Sequence, residues 1–163
     1  YFRVNRIIEV GTFIGRSTLA MASAMDAEDI AGDIFTCDGS NAMTVPWSGK
    51  SRLHQFPKTT STDMLGRLDG VFDFVFLDGR LTREDLPLLE GLISQDTIFA
   101  LDDFEGVEKG VANLSQLYGL GKLKSHFLIY PAPGPLLARR GLTSNSLFAV
   151  FLPISVFQFA KQG

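Results

Sequence analysis

The sequence predicts a three-layer α/β sandwich around a mostly parallel sheet, and three observations carry that expectation. An apolar stretch, Arg6-Ile7-Ile8-Glu9-Val10, runs into the glycine turn Gly11-Thr12-Phe13-Ile14-Gly15 and then into a helix start at Arg16-Ser17. Beyond it, short apolar runs alternate with helical patterns, as in strand–helix–strand units. The last two apolar runs are joined by a Pro/Gly-rich link without helical pattern, so they should pair antiparallel.

Taken in order, the first strand is expected over Arg6 to Val10 and its helix over Ser17 to Met25, where Leu19, Ala20, Ala22, Ser23 and Ala24 allow close packing. The second strand runs from Ile34 to Asp38. Gly39 to Arg52 contains Pro46, two glycines and several Ser, Asn and Thr residues, the composition of a loop. A weak third strand is read at Leu53 to Phe56, followed by a short capped helix at Thr62-Asp63-Met64-Leu65. Phe72-Asp73-Phe74-Val75-Phe76-Leu77 is a near-continuous apolar run of the kind buried on both faces. Its helix is placed at Arg83 to Ile93, the fifth strand at Thr97 to Leu101, and an amphipathic helix at Val107 to Tyr118. The final pair of strands falls at Ser125 to Tyr130 and Leu147 to Leu152, linked through Pro131, Pro133, Gly134, Pro135 and Gly141.

The 163 residues suffice for one domain, 1–163, with a sizeable core. With 45% hydrophobic and 20% charged residues the composition is that of an ordinary globular protein. No apolar run is long enough to span a bilayer. A net charge of −3 and no basic cluster longer than Arg139-Arg140 give no footprint for nucleic acid or an anionic membrane, so a small-molecule partner is expected. The single cysteine, Cys37, excludes an internal disulfide and a cysteine-based metal site; it reads as a small packed hydrophobe and fits a cytoplasmic location. The chain opens at Tyr1 with no initiator methionine and enters its first strand almost at once, which points to sequence missing upstream.

Glycine permits the tight turn after the first strand, and the N–H groups at a helix start favour a carboxylate or phosphate. Asp38 ends the next strand, where an acid roughly 20 residues after the glycine turn grips a ribose diol. Ligands of such sheets sit beyond the carboxyl ends of the strands. Acids stand at four of them: Asp38, Asp63, Asp78, and the pair Asp102 and Asp103. Buried strands push carboxylates to their ends by default, so any one of these acids also fits without a ligand.

From Arg6 to Leu152 the chain resembles the class I S-adenosylmethionine-dependent methyltransferases. Glu9-Val10-Gly11-Thr12-Phe13-Ile14-Gly15-Arg16-Ser17 is similar to their first motif, most of all in the branch of catechol-type and macrolide or sugar O-methyltransferases. The terminal antiparallel pair separates that fold from a NAD-binding one. The resemblance implies a Rossmann-like seven-stranded sheet of order 3-2-1-4-5-7-6. It also implies that Gly11, Thr12 and Gly15 shape the turn under the methionine moiety while Glu9 fixes it from below. Ser17 would hydrogen-bond the cofactor carboxylate, Asp38 both ribose hydroxyls, and Thr62 and Asp63 the adenine edge. Ser17 and Thr62 fit equally as helix caps, and Glu9 as a partner for backbone amides.

In the metal-dependent branch, acids at the positions of Asp78, Asp102 and Asp103 hold a divalent ion that lowers the pKa of the acceptor hydroxyl. Like charges that close need a proton or a cation between them, and an oxygen-only set suits Mg²⁺, Mn²⁺ or Ca²⁺. The alternative leaves Asp78 to the cofactor ammonium and Asp103 to cap the next helix. The chain departs from the catechol-type pattern after Asp78, where Gly79-Arg80-Leu81 stands and no lysine follows at the expected spacing. Arginine stays protonated and is a poor base. His54 and His126 read as polar strand residues, so the general base is unassigned, Asp78 being the one candidate catalytic residue. Trp47 fits either stacking on a ligand or folding onto the domain, and Val156-Phe157-Gln158-Phe159 either pairing with a second subunit in a homo-oligomer or added pairing within the domain.

Three functional readings follow. The first is a methyltransferase acting on a small-molecule hydroxyl, with a divalent metal as an open element. A nicotinamide-dependent oxidoreductase is second, against which Gly11-x-x-x-Gly15 lacks the G-x-G-x-x-G pattern. The third is a truncated or non-catalytic cofactor-binding domain, since related enzymes build part of the substrate lid from helices before the first strand.

Overall fold

The computed structural model describes residues 3–40, 42, 44–104, 107–129 and 148–155. Its elements are β1 (Arg6–Val10), α1 (Arg16–Ala27), β2 (Asp33–Asp38), β3 (Arg52–Pro57), α2 (Ser61–Leu65), β4 (Phe74–Leu77), α3 (Asp85–Leu92), β5 (Ile98–Leu101), α4 (Gly110–Leu117), a 3-10 turn (Gly121–Ser125), β6 (His126–Ile129) and β7 (Ala149–Pro153). They form one seven-stranded sheet of order β3-β2-β1-β4-β5-β7-β6, the predicted order. β1 to β5 are parallel, while β7 runs antiparallel to both β5 and β6. The Pro/Gly link and Val156 to Phe159 lie outside the described residues.

β1, β4 and β5 are central and read as apolar runs because helices cover both their faces. The larger core cluster gathers Ile8, Val75, Leu77, Phe99 and Leu101 with Leu89 of α3 and Leu117 of α4. The smaller packs Ile7 and Ile34 against Ala22 and Met25 of α1. Each such fully buried aliphatic or aromatic side chain is worth about 1.5–3 kcal/mol relative to leaving it in water. β3, at the edge, is half-buried, which is why its sequence signal is weak.

Several boundaries differ from the sequence reading, each for a local reason. β4 begins at Phe74 rather than Phe72, because the Asp73 carboxylate accepts from the amides of Asn5 and Arg6 at 2.8 and 2.9 Å. α1 starts one residue early, with Gly15 as its left-handed N-cap at φ 78°. α4 is shorter than expected at its start, where residues 107–109 form a turn. The described residues between β2 and β3 form a loop, with Arg52 already in β3, and Trp47 folds onto the domain: its indole N–H donates to the Ser51 carbonyl and its ring packs on the α1 cluster. Among the described residues no helix is long and apolar enough to cross a membrane.

Candidate active site

The β1–α1 turn is set by what glycine alone permits. Gly11 has φ 103°, and a Cβ there would stand 2.7 Å from the backbone nitrogen of Gly79, so the turn lies directly against the end of β4. Gly15 has φ 78° and touches Val45, where a Cβ would come within 2.2 Å of a methyl carbon. Beneath the turn Glu9 is fully buried and accepts three hydroxyls: Ser17 at 2.5 Å, Thr18 at 2.5 Å and Thr36 at 2.6 Å. Thr12 joins through the Thr36 hydroxyl at 2.6 Å. Burial pushes the Glu9 carboxyl above its ordinary range, and the three hydroxyls pull it back. Glu9 thus ties the turn to α1 and β2 through side-chain hydroxyls rather than backbone amides. Ser17 is not the cap of α1, since that position is Gly15.

Asp38 ends β2 at the rim of the turn, where its Oδ2 accepts from the Phe13 amide at 2.8 Å and its Oδ1 from the Ser40 amide and hydroxyl at 2.9 Å. It lines a cleft of about 570 Å³ together with Gly11, Thr60, Ser61, Asp78 and Lys109. A second cleft of about 610 Å³ is lined by Ile14, Ser17, Phe76, Asp102, Asp103 and Phe148 and shares Phe13 and Asp78 with the first. Phe13, at φ 44° and 65% exposed, and Asp78 therefore stand where the two meet.

Thr62 and Asp63 face elsewhere than the sequence suggested. The Thr62 hydroxyl donates to Asp85 at 2.6 Å, and Asp63 is tied to Thr60, the N-cap of α2, whose hydroxyl accepts from the Asp63 amide at 3.1 Å and donates to its carboxylate at 2.8 Å. Cleft wall at this point is provided by Thr60 and Ser61. Asp85, fully buried, collects Ser61, Thr62 and the Thr82 amide and so joins α2 to the start of α3. Sequence reasoning missed it because it sits inside a helical pattern rather than at a strand end.

Beyond β4 and β5 two of the three expected acids, Asp78 and Asp103, come together on a lysine. Lys109 Nζ donates to Asp78 Oδ1 at 3.1 Å and to Asp103 Oδ2 at 2.5 Å. Asp103 holds a left-handed φ of 52°, and its amide donates to Asp102 Oδ1 at 2.8 Å. Burial raises the Asp78 and Asp102 carboxyls, with Lys109 opposing the rise at Asp78. Lys109 is raised in turn, first by its bond to Asp103. Asp103 does not cap α4, whose N-cap is Lys109 itself. Among the described residues no group of three or more His, Cys, Asp or Glu side chains is arranged to hold a metal ion. The acids as arranged do not fit the divalent ion that the resemblance implied, because two of them are bound to an ammonium.

Asn113 of α4 fixes the segment that carries Asp78. It is buried, its side-chain oxygen accepts from the Leu81 amide at 2.9 Å, and its side-chain nitrogen donates to the Gly79 carbonyl at 2.8 Å. Both histidines lie away from the clefts: His54 pairs with Asp33 at 2.6 Å and stacks on Phe35, and His126 bonds the Thr97 carbonyl at 2.7 Å. The missed cation, Lys109, carried no motif; what placed it here was the helix it begins.

The sequence matches the model of a protein family described as a methyltransferase domain over residues 8–104, more than half of the chain. No curated protein matches it. Among solved structures it is similar to the S-adenosylhomocysteine-bound methyltransferase PaMTH1 of Podospora anserina, at 17% identity over 91% of this chain and 71% of that one, with a TM-score of 0.57. CalS11, a TDP-rhamnose 3'-O-methyltransferase of calicheamicin biosynthesis, is 13% identical over 91% of this chain and 71% of its own, with a TM-score of 0.59. Spermidine synthase from Thermotoga maritima gives 0.60 at 9% identity, and there the chain spans 93% of itself and 53% of the neighbour. At such identities, and with a synthase among them, these likenesses show the fold alone. The match over residues 8–104, on a sheet of this order with a glycine turn at its centre, places this chain in the methyltransferase-domain family.

Proposed function

We propose that the domain binds S-adenosylmethionine in the cleft beyond β1, β2 and β4 and transfers its methyl group to a hydroxyl of a small molecule in the adjoining cleft. The observation that carries this reading is the convergence of the Gly11 turn, Asp38 and Asp78 on one cleft that opens beside a second. When bound, S-adenosylmethionine supplies a methyl group on a sulfonium, open to in-line displacement.

The residues present fit such a group. Without a Cβ at Gly11 the turn backbone can lie close under a ligand, and Asp38, which lines the same cleft at the end of β2, stands where a ribose diol would meet a carboxylate. In the second cleft Ile14, Phe76 and Phe148 offer apolar walls for an acceptor. Transfer to a hydroxyl requires that its proton leave, and the proton acceptors lining that cleft are the carboxylates of Asp78, Asp102 and Asp103. Alignment does most of the remaining work, as in any displacement between two bound partners. CalS11, a neighbour named for methylating a sugar hydroxyl, supports the acceptor class, and a net charge of −3 without a basic patch suits a small acceptor over a nucleic acid. No step is assigned to a divalent ion.

Calorimetric titration with S-adenosylhomocysteine tests the reading. Wild type should bind in the micromolar range, and Asp38→Ala should lose about 10- to 100-fold, as expected for removing charge-assisted hydrogen bonds. Absence of binding to wild type would overturn the assignment of the cleft. A positive result makes a screen of hydroxylated acceptors with labelled S-adenosylmethionine the next step.

A further inference from the structure

We propose that Lys109 is the resident cation of this site: its ammonium bridges Asp78 and Asp103 in the place where the resembled metal-dependent enzymes hold a divalent ion, and so keeps such an ion out.

The argument starts from charge. Asp78 and Asp103, from the ends of two adjacent strands, stand close together in a half-buried setting with Asp102 beside them, and like charges so placed call for a cation between them. In this chain the requirement is met from within. Asp103, just after β5, holds a left-handed backbone conformation, and the turn at residues 107–109 ends in Lys109 as the N-cap of α4. Its Nζ lies 3.1 Å from Asp78 and 2.5 Å from Asp103, joining the end of β4 to the segment after β5. A hard divalent ion takes at least six oxygen ligands, and two of the acids here already spend an oxygen on the ammonium. Lysine has three donors, and with two directed at the acids the third remains for an oxygen in the cleft that Lys109 lines. The consequence is a positioning residue: the cation that orients Asp78 is covalently part of the chain.

This inference deepens the proposed function, since it concerns the same site, yet its test needs neither cofactor nor acceptor. The protein alone is titrated calorimetrically with MgCl₂, MnCl₂ and CaCl₂, as wild type, Lys109→Met and Lys109→Arg. Wild type and Lys109→Arg should give no binding heat, while Lys109→Met should bind at least one ion with a Kd below about 1 mM, the weak end of carboxylate sites. Binding to wild type as tight as to Lys109→Met would overturn the proposal, and so would silence from all three proteins, because acids indifferent to the loss of Lys109 form no cation site. Wild-type amide spectra with Mn²⁺ decide the matter independently of how Lys109→Met folds. Selective broadening at Gly79, Asp102 and Asp103 would overturn the proposal, and sharp signals there support it. Failure of S-adenosylhomocysteine to bind would strike the cofactor reading and leave this result standing.

Discussion

The Glu9 network beneath the β1–α1 turn and the group of Asp78, Asp102 and Asp103 beyond β4 and β5 both place acids toward the ligand end of one sheet, but they are satisfied in opposite ways. Glu9 is fully buried and takes three short bonds from neutral hydroxyls, so it is solvated by dipoles of the protein itself. The aspartates are half-buried and line clefts; Asp78 and Asp103 share one ammonium, and Asp102 takes the Asp103 amide. A carboxylate sealed by hydroxyls is a rivet: it fixes the turn and has nothing left for a ligand. One held by a lysine on the rim of a cleft keeps lone pairs facing open space. The same residue type at the same end of the sheet thus divides between building the site and working in it.

Removing the rivet should have the largest effect. Glu9→Ala strands the buried Thr18 hydroxyl at about 1–3 kcal/mol, leaves Thr36 only its bond to Thr12 and opens a cavity under the turn, so a loss of about 3 kcal/mol is expected in urea unfolding. Lys109→Met, which leaves every buried bond of the turn intact, should cost about 1 kcal/mol or less by the same measurement. Equal losses for the two would break the comparison. Asn113→Ala falls between them and sharpens it. It strips the buried Leu81 amide of its acceptor, at about 1–3 kcal/mol, and releases the segment bearing Asp78. Amide hydrogen exchange should therefore accelerate at Gly79 to Leu81 while the amides of β1 keep their protection; acceleration spread evenly over the sheet would show that Asn113 acts on the fold as a whole.

The strand–helix alternation, the antiparallel end and the glycine turn were legible in the sequence because each is a local signal: apolar runs, a link without helical pattern, a glycine pair; the strand order came only with the family resemblance. Glu9, Asp38, Asp78, Asp102 and Asp103 were legible as strand-end or strand-borne acids. What the sequence could not show was which group each acid meets. Lys109 lies 31 residues beyond Asp78 and reaches it only because α4 turns back over the sheet. Thr18 and Thr36 look like ordinary helix and strand residues until β1 and β2 are set in register, with Glu9 beside Thr36. Asn113 and Asp85 are buried polar residues within helical patterns, and their partners are loop amides and hydroxyls that no periodicity marks. The helix-cap alternatives for Ser17 and Thr62 failed for a related reason: Gly15 and Thr60 stand two residues earlier, at the turns that start each helix.

A third acid–base cluster, far from both clefts, supplies the smallest effect and the sharpest control. Asp33, near the amino end of β2, pairs with Arg52 at 2.6 Å and with His54 at 2.6 Å on the sheet edge. Arg52 first, then His54, hold its carboxyl down to about 2 from an ordinary 3.8. A carboxyl with a depressed folded-state pKa contributes stability that is complete above its unfolded value and lost as the pH falls through the folded one, so the window here runs from pH 3.8 down to about 2. Arg52 is largely exposed, which screens the pair, so Asp33→Asn should cost no more than about 1 kcal/mol at neutral pH. The gap between variant and wild type should close as the pH is lowered through that window, and affinity for S-adenosylhomocysteine should not change at pH 7. Lost affinity in Asp33→Asn would mean that acids anywhere on this sheet feed the cleft through the fold, and the division between rivet and working group would collapse into a single effect of stability. Unchanged affinity beside a pH-dependent stability gap would leave Glu9, Asp38 and the Lys109 group as the places where charge and site are joined.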